Sequence, residues 1–211
     1  MEFSIPCIAA PRTIEWMDAG FFEQVERAWA DVAARFEAYH IVLPGSASFL
    51  CQPEVCTAYC CHAYSVSLSE ADVARFRRFE QLEPIEFLEL DEDGSPVTLP
   101  MAQPYLLARA DNHCKMLGPD LGCNAYEGRP NACRLYPHFV VFWDAEAGRA
   151  RTTPSKRTNA SFEAAARGNI HGLVPLLLGH SECPGFTGPP LDEIGWASLF
   201  ARTYQLQYAE V

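Results

Sequence analysis

Apolar residues return at three- and four-residue steps near the start of the chain, at Phe22, Val25, Trp29, Val32 and Phe36, with charges on the opposite side. That period is one face of an amphipathic helix. It predicts a helix from about Asp18 to Tyr39 whose apolar stripe packs into a core. Pro44-Gly45-Ser46 breaks the chain there. Ser69-Glu70-Ala71-Asp72 is a capping-box start with Asp in the place of Glu, and Val73, Phe76 and Phe79 follow at helical spacing. Asp91-Glu92-Asp93-Gly94 reads as a turn between two short extended runs, a hairpin.

Further along, Pro130 sits where a first helical turn begins. A short helix, Asn131 to Tyr136, should therefore carry Cys133 and Arg134. Phe139 to Trp143 is strand-like, and Asp144 to Gly148 turns the chain into Arg149 to Thr153. Apolar positions from Phe162 to Leu178 predict a helix with at least one interruption, and the tail from Leu191 to Tyr208 predicts a closing helix. No internal repeat or linker divides the chain. The expected architecture is α+β, mainly helical: a single compact domain over residues 1–211 with irregular cysteine-rich metal-binding loops. Residues 49–188 form the cysteine-cluster region, flanked by helical segments at about 14–40 and 191–208.

Composition narrows what such a domain can do. The chain has 211 residues, 49% of them hydrophobic, enough to bury a core. No stretch approaches the ~20 apolar residues that span a bilayer; the run Leu173 to Leu178 is interrupted by Pro175 and stops at Gly179. The first residues, Met1 to Pro6, lack the basic and apolar regions of a signal peptide. A cytoplasmic protein with no membrane partner is expected. The net charge of −11 repels phosphate backbones, and no basic stripe with interleaved aromatics is present, so nucleic acid is not an expected partner. Glu83, Glu86, Glu89, Asp91, Glu92 and Asp93 read as a solvated face and turn.

Nine cysteines are too few for a disulfide scaffold and need another use in a reducing compartment. Cys51, Cys56, Cys60 and Cys61 form a C-x4-C-x3-C-C cluster. Cys114, Cys123 and Cys133 follow at intervals of nine and ten, and Cys183 stands in Cys-Pro-Gly. Soft thiolates bind zinc or an iron–sulfur core, and four of them close a site. These eight are the candidate metal ligands. The cofactor they imply is an iron–sulfur cluster, 4Fe–4S foremost, or zinc. Residues 49–62 are too cysteine-dense for a regular element and read as a ligand loop. Side chains of adjacent residues diverge, so Cys60 and Cys61 are expected to straddle two centres, or a centre and a structural thiol. Eight thiols match two four-thiolate sites. Cys7 stands apart as a packing or incidental thiol.

The loop from Phe49 through Cys51, Cys56, Cys60 and Cys61 resembles the YkgJ-type cysteine-cluster family, a zinc- or iron-chelating domain with a CxxCxxCC motif. The segments Gly122-Cys123-x-x-Tyr126-x-x-Arg129-Pro130-x-x-Cys133-Arg134-x-Tyr136-Pro137 and Cys183-Pro-Gly185 carry the same resemblance. It is similar also to the cysteine-rich part of flagellin lysine methylases. The likeness spans about residues 49 to 188, and the first loop is wider here than the family motif.

Bound thiolates carry excess negative charge, which calls for backbone N–H groups or nearby cations. Arg129 and Arg134 flank Cys133 and are the candidates. His113, beside Cys114, and Tyr126 complete the expected surround, with His62 beside Cys61 in a similar position. His138, His171 and His180 read as structural. No phosphate cradle, nucleophile elbow or HExxH is present. Three classes of function follow: a metal-binding protein, an enzyme resembling a protein lysine methyltransferase that uses S-adenosylmethionine, and a metal-stapled module that engages a peptide or protein partner. The first is favoured, because no catalytic base or cosubstrate loop can be named.

Overall fold

The computed structural model describes residues 20–153 and 155–208. Cys7 and the predicted helical start at residues 14–19 lie outside the described residues. Helix α1 (Phe21–Val32) passes through a 3-10 turn (Ala33–Arg35) into strands β1 (Tyr39–Ile41) and β2 (Ala47–Phe49). Helix α2 (Tyr59–Ala63), strand β3 (Ser67–Leu68) and helices α3 (Glu70–Glu80) and α4 (Pro84–Phe87) follow. Next come strands β4 (Tyr105–Leu106), β5 (Arg109–Ala110) and β6 (His113–Cys114), then helix α5 (Asn131–Leu135). Strands β7 (His138–Asp144) and β8 (Arg149–Arg151), helix α6 (Lys156–Ala165), strands β9 (Val174–His180) and β10 (Phe186–Pro190) and helix α7 (Glu193–Tyr208) complete the chain.

The organising element is an antiparallel sheet in the order β1-β9-β7-β8. Its central strands are apolar on both faces, as strands covered by helices must be. Val140, Val141 and Phe142 of β7 and Leu176, Leu177 and Leu178 of β9 are fully buried. Helix α1 presents Phe21, Val25, Ala28 and Val32 to this core at helical spacing, and Trp196, Phe200, Tyr204 and Tyr208 of α7 close it. Each large side chain buried in this way stabilises the fold by about 1.5–3 kcal/mol. Helix α7 is also tied by hydrogen bonds: Trp196 Nε1 donates to Val42 O at 2.7 Å, and Gln207 caps both the N–H and the C=O of Val140.

A second, smaller core gathers Leu68, Val73, Phe76, Phe87, Leu88 and Leu107 from α3, α4 and the short strands beside them. Cys114 belongs to it, and Cys61 and Cys123 pack against it. The cysteine-bearing segments therefore run where the two cores meet. The content is mixed helix and strand in small sheets, and the predominance of helix expected from the sequence is not what the fold shows.

Three local expectations are corrected. The first helix stops at Val32, and Tyr39 already lies in β1, because that stretch completes the sheet by pairing with β9. The apolar stretch from Phe162 to Leu178 is not one interrupted helix: α6 ends at Ala165, and Val174 to His180 is strand β9. A short, continuous apolar run suits a doubly buried strand as well as a helix, so periodicity could not separate them. Pro175 is tolerated because it pairs with Phe142 on one side only, beyond the reach of β1, whose register on β9 begins at Leu178. Finally, Cys60 and Cys61 do not lie in an irregular loop but in the helical turn α2.

Candidate metal centre

Four separate constructions carry the thiols. Strand β2 runs directly into Cys51, and β10 pairs with β2 antiparallel. Leu50 N donates to Gly185 O at 2.7 Å, so the Cys183-Pro184-Gly185 segment is fixed alongside the start of the first cysteine loop. A side chain at Gly185 would meet the Leu50 carbonyl at 2.6 Å, which explains the glycine there. Helix α2 presents Cys60 and Cys61. Arg109 then ties α2 to the β5–β6 turn: its guanidinium donates to the carbonyls of His62 (2.8 Å), Tyr64 (2.6 Å) and Asn112. That clamp brings Cys60 and Cys61 to Cys114.

The Cys123–Cys133 segment is held by α3. Asp72, fully buried, accepts from Asn131 N at 2.8 Å while also capping its own helix at Ser69 and pairing with Arg75. Arg75 in turn donates to Arg129 O, and Gly128 N donates to Glu80 Oε1 at 2.8 Å. A side chain at Gly128 would lie 2.7 Å from that same carboxylate oxygen. The turn Gly128-Arg129-Pro130-Asn131 is thus pinned at three points, which sets Cys133 on α5.

Seven of the eight cysteines, Cys51, Cys56, Cys60, Cys61, Cys114, Cys123 and Cys133, line one cavity of about 500 Å³. Cys183 lies outside its wall but within electrostatic reach of Cys56 and Cys60. No disulfide joins the eight. The sulfurs of Cys60 and Cys61 do not diverge: they stand 3.9 Å apart. Two thiolates on one tetrahedral zinc, with Zn–S bonds of ~2.3 Å, would be ~3.8 Å apart, so this pair could share an ion. Among the described residues, however, no group of three or more His, Cys, Asp or Glu side chains is gathered closely enough to hold a metal ion as it stands. The thiols ring a space more than they converge on a point.

Their protonation follows from this arrangement. Hydrogen bonding by the Cys61 thiol holds Cys60 down at about 7 and Cys114 at about 6, and the same bonds push Cys61 itself up. A backbone N–H from Met116 and the cations Arg109 and His113 add to the effect at Cys114. Burial pushes Cys133 up to about 12 and raises Cys51, Cys123 and Cys183. Cys60 and Cys114 are thus held ready to deprotonate near neutral pH, whereas a bound metal would have to draw the proton from Cys51, Cys61, Cys123, Cys133 and Cys183.

The thiols influence one another across the cavity. Cys51 and Cys183 are each raised by Cys56 and Cys60. Cys61, Cys123 and Cys133 are each raised by both Cys114 and Cys60, so Cys60 is felt throughout the set.

The residues expected around the thiols take different places. Arg129 faces the cavity and lowers Cys51, Cys60, Cys123 and Cys133 alike. Its guanidinium lies 3.6 Å from the centre of the Tyr126 ring and its Nε donates to Tyr126 O at 2.9 Å, so Tyr126 holds it as a cation–π partner. His113 Nδ1–H donates to Cys114 O, 2.8 Å away, and the ring packs edge-on against His62. Arg134 lines a second cavity, together with Arg202.

Tyr136 and Phe139, expected from the sequence to pack over the metal loops with Tyr126, are joined in the wall by His138 and His180, which read as structural in the sequence. Tyr136, His138 and His180 line the main cavity; the Tyr136 hydroxyl bonds the Cys183 thiol, whereas His138 Nε2 and His180 Nδ1 are buried without a hydrogen-bond partner among the described residues. Each unpaired buried polar atom is costly. Tyr39, Tyr59, Tyr64 and Tyr136 surround the His180 ring at 5.0 to 6.3 Å. Arg109 and Asp72 were likewise invisible as site residues, although Asp72 was legible as a helix cap. The donor set is all thiolate at its centre, with buried polar groups beside it, and it suits zinc or iron chemically.

A family model described as "CxxCxxCC: Putative zinc- or iron-chelating domain" matches residues 50–162, and the chain belongs to that family. The matched span holds seven of the eight candidate ligands, and Cys183 lies beyond it. No curated protein and no solved structure matches the chain.

Proposed function

We propose that this member of the CxxCxxCC family is a metal-binding protein in which eight thiolates hold two iron–sulfur centres. The observation that carries the reading is the ring of seven thiols around one cavity, with Cys183 at its flank. A single zinc needs four donors converging on a point, whereas an iron–sulfur core takes thiolates at separate irons and occupies the space between them. Cys51, Cys56, Cys60 and Cys183 would hold one centre. Cys61, Cys114, Cys123 and Cys133 would hold the other. When bound, such centres supply electron transfer or a structural staple; the chain's own part is to offset thiolate charge through Arg129, Arg109 and the Met116 N–H, and to exclude water with Tyr126, Tyr136 and Phe139.

Zinc is the second reading, favoured by the 3.9 Å separation of the Cys60 and Cys61 sulfurs. In either case the thiols must be kept reduced, which fits a cytoplasmic setting. Paired serine substitutions test the division. Cys56→Ser with Cys183→Ser should remove about half of the bound metal, and Cys114→Ser with Cys123→Ser the other half. Loss of all metal from either pair in folded protein would show a single centre.

A further inference from the structure

A second cavity, of about 330 Å³, opens beside the first and shares with it Cys51, Tyr126, Arg129, Tyr136 and His138. Its volume is in the range of small-molecule sites. Three guanidinium-bearing residues line it: Arg129 from the pinned turn, Arg134 from α5 and Arg202 from α7. Among the described residues no Asp or Glu does, although the chain carries 27 Asp and Glu against 16 Lys and Arg. The guanidinium groups of Arg134 and Arg202 make no hydrogen bond or ion pair among the described residues. Arg134 feels the carboxylate of Asp72, which is already engaged by Arg75.

Partial burial, and then the like charges of Arg75, Arg202 and Arg129, lower the pKa of Arg134. A fourth polar group faces the same space: His138 is 8% exposed, and its Nε2 has no partner. Opposite these groups the wall is apolar, built by Leu135, Leu191, Leu199 and Leu206.

We propose that this cavity binds a small amphipathic oxyanion, its carboxylate or phosphate head held by Arg134, Arg202 and His138 and its apolar body lying along Leu135, Leu199 and Leu206. Arginine suits either head, because its planar fork donates to two oxygens at once. The shared wall puts the ligand next to the thiol cavity. The assignment does not depend on which metal, or how many centres, the thiols hold.

The test is calorimetric titration of the full chain, as isolated without oxygen, with hexanoate, hexyl phosphate, inorganic phosphate and hexylammonium. Saturable binding of hexanoate or hexyl phosphate is expected, and the tighter of the two identifies the head. Hexylammonium should not bind, and inorganic phosphate should bind more weakly than its hexyl ester. Arg134→Gln and Arg202→Gln should each weaken the hexyl anion about tenfold with metal content unchanged, and Arg134→Lys should recover part of the loss. The ligand comparisons stand without any variant. No saturable binding of either hexyl anion, equal binding of hexylammonium, or undiminished affinity in the folded Arg134→Gln/Arg202→Gln double variant would overturn the assignment.

Discussion

At the scale of single residues, the account turns on which charged groups face the thiols. Arg129 touches four of them electrostatically, whereas Arg134 faces the neighbouring cavity. Both flank Cys133 in sequence, and nothing in the spacing tells them apart; the pinned turn does, because it fixes Arg129 over the Tyr126 ring. Arg129→Ala should therefore lower metal affinity by roughly 10–100-fold against a competing chelator, the usual cost of losing a group that supports metal ligands. Arg134→Ala should cost much less. Equal losses would mean that both guanidinia answer thiolate charge. His138 supplies a different signature. Burial holds its imidazole down at about 4, against an ordinary value near 6.5. The unfolded chain takes up a proton that the folded one refuses, so the stability is present above about pH 6.5 and is lost as pH falls toward 4. The full difference is on the order of 3 kcal/mol. Urea unfolding at pH 7.5 and pH 5 should show a larger acid loss for the parent than for His138→Leu. An identical pH dependence would show that His138 protonates freely in the fold.

Among the elements, α3 matters out of proportion to its place in the chain. Its capping box, visible in Ser69 to Asp72, announces a helix start. The same Asp72 carboxylate also receives the Asn131 N–H, a contact across the fold that no local pattern can express. Asp72→Ala removes the carboxylate half of the capping box and the acceptor shared by the Asn131 N–H and Arg75, which should cost about 3–5 kcal/mol, within the range for breaking a buried ion pair. Chemical denaturation checks it, and a loss under 1 kcal/mol would contradict the pinning role. Gly185→Ala tests the β2–β10 ribbon: the added Cβ meets backbone at 2.6 Å. It should loosen Cys51 and Cys183 and reduce metal held on that side. Helices α1, α3, α5 and α7 and strand β7 were legible because each is set by local period, cap or proline. Strand β9 was not, since its doubly buried run carries no period of its own. The pairings β1–β9 and β2–β10 join distant parts of the chain and left no trace in local sequence.

For the molecule as a whole, two cores meet and the thiols lie along the junction, so metal binding and docking of the cores are linked. The thiols stood out as candidate ligands by their spacing, and the family match over residues 50–162 is to a zinc- or iron-chelating domain. Their grouping was not readable, because it depends on Arg109, Asp72 and the β2–β10 ribbon bringing four segments together. No helix among the described residues is long and apolar enough to cross a membrane. The central claim is that thiolates hold metal here, as iron–sulfur centres. One measurement addresses it most directly: purification without oxygen, followed by iron, zinc and acid-labile sulfide analysis with a visible spectrum. The account predicts iron and sulfide in equal amounts, about eight of each per chain if both centres are 4Fe–4S, with broad visible absorption bleached by reductant. Folded protein that holds zinc without iron or sulfide, or that holds no metal and takes up none when iron with sulfide is supplied, would contradict it.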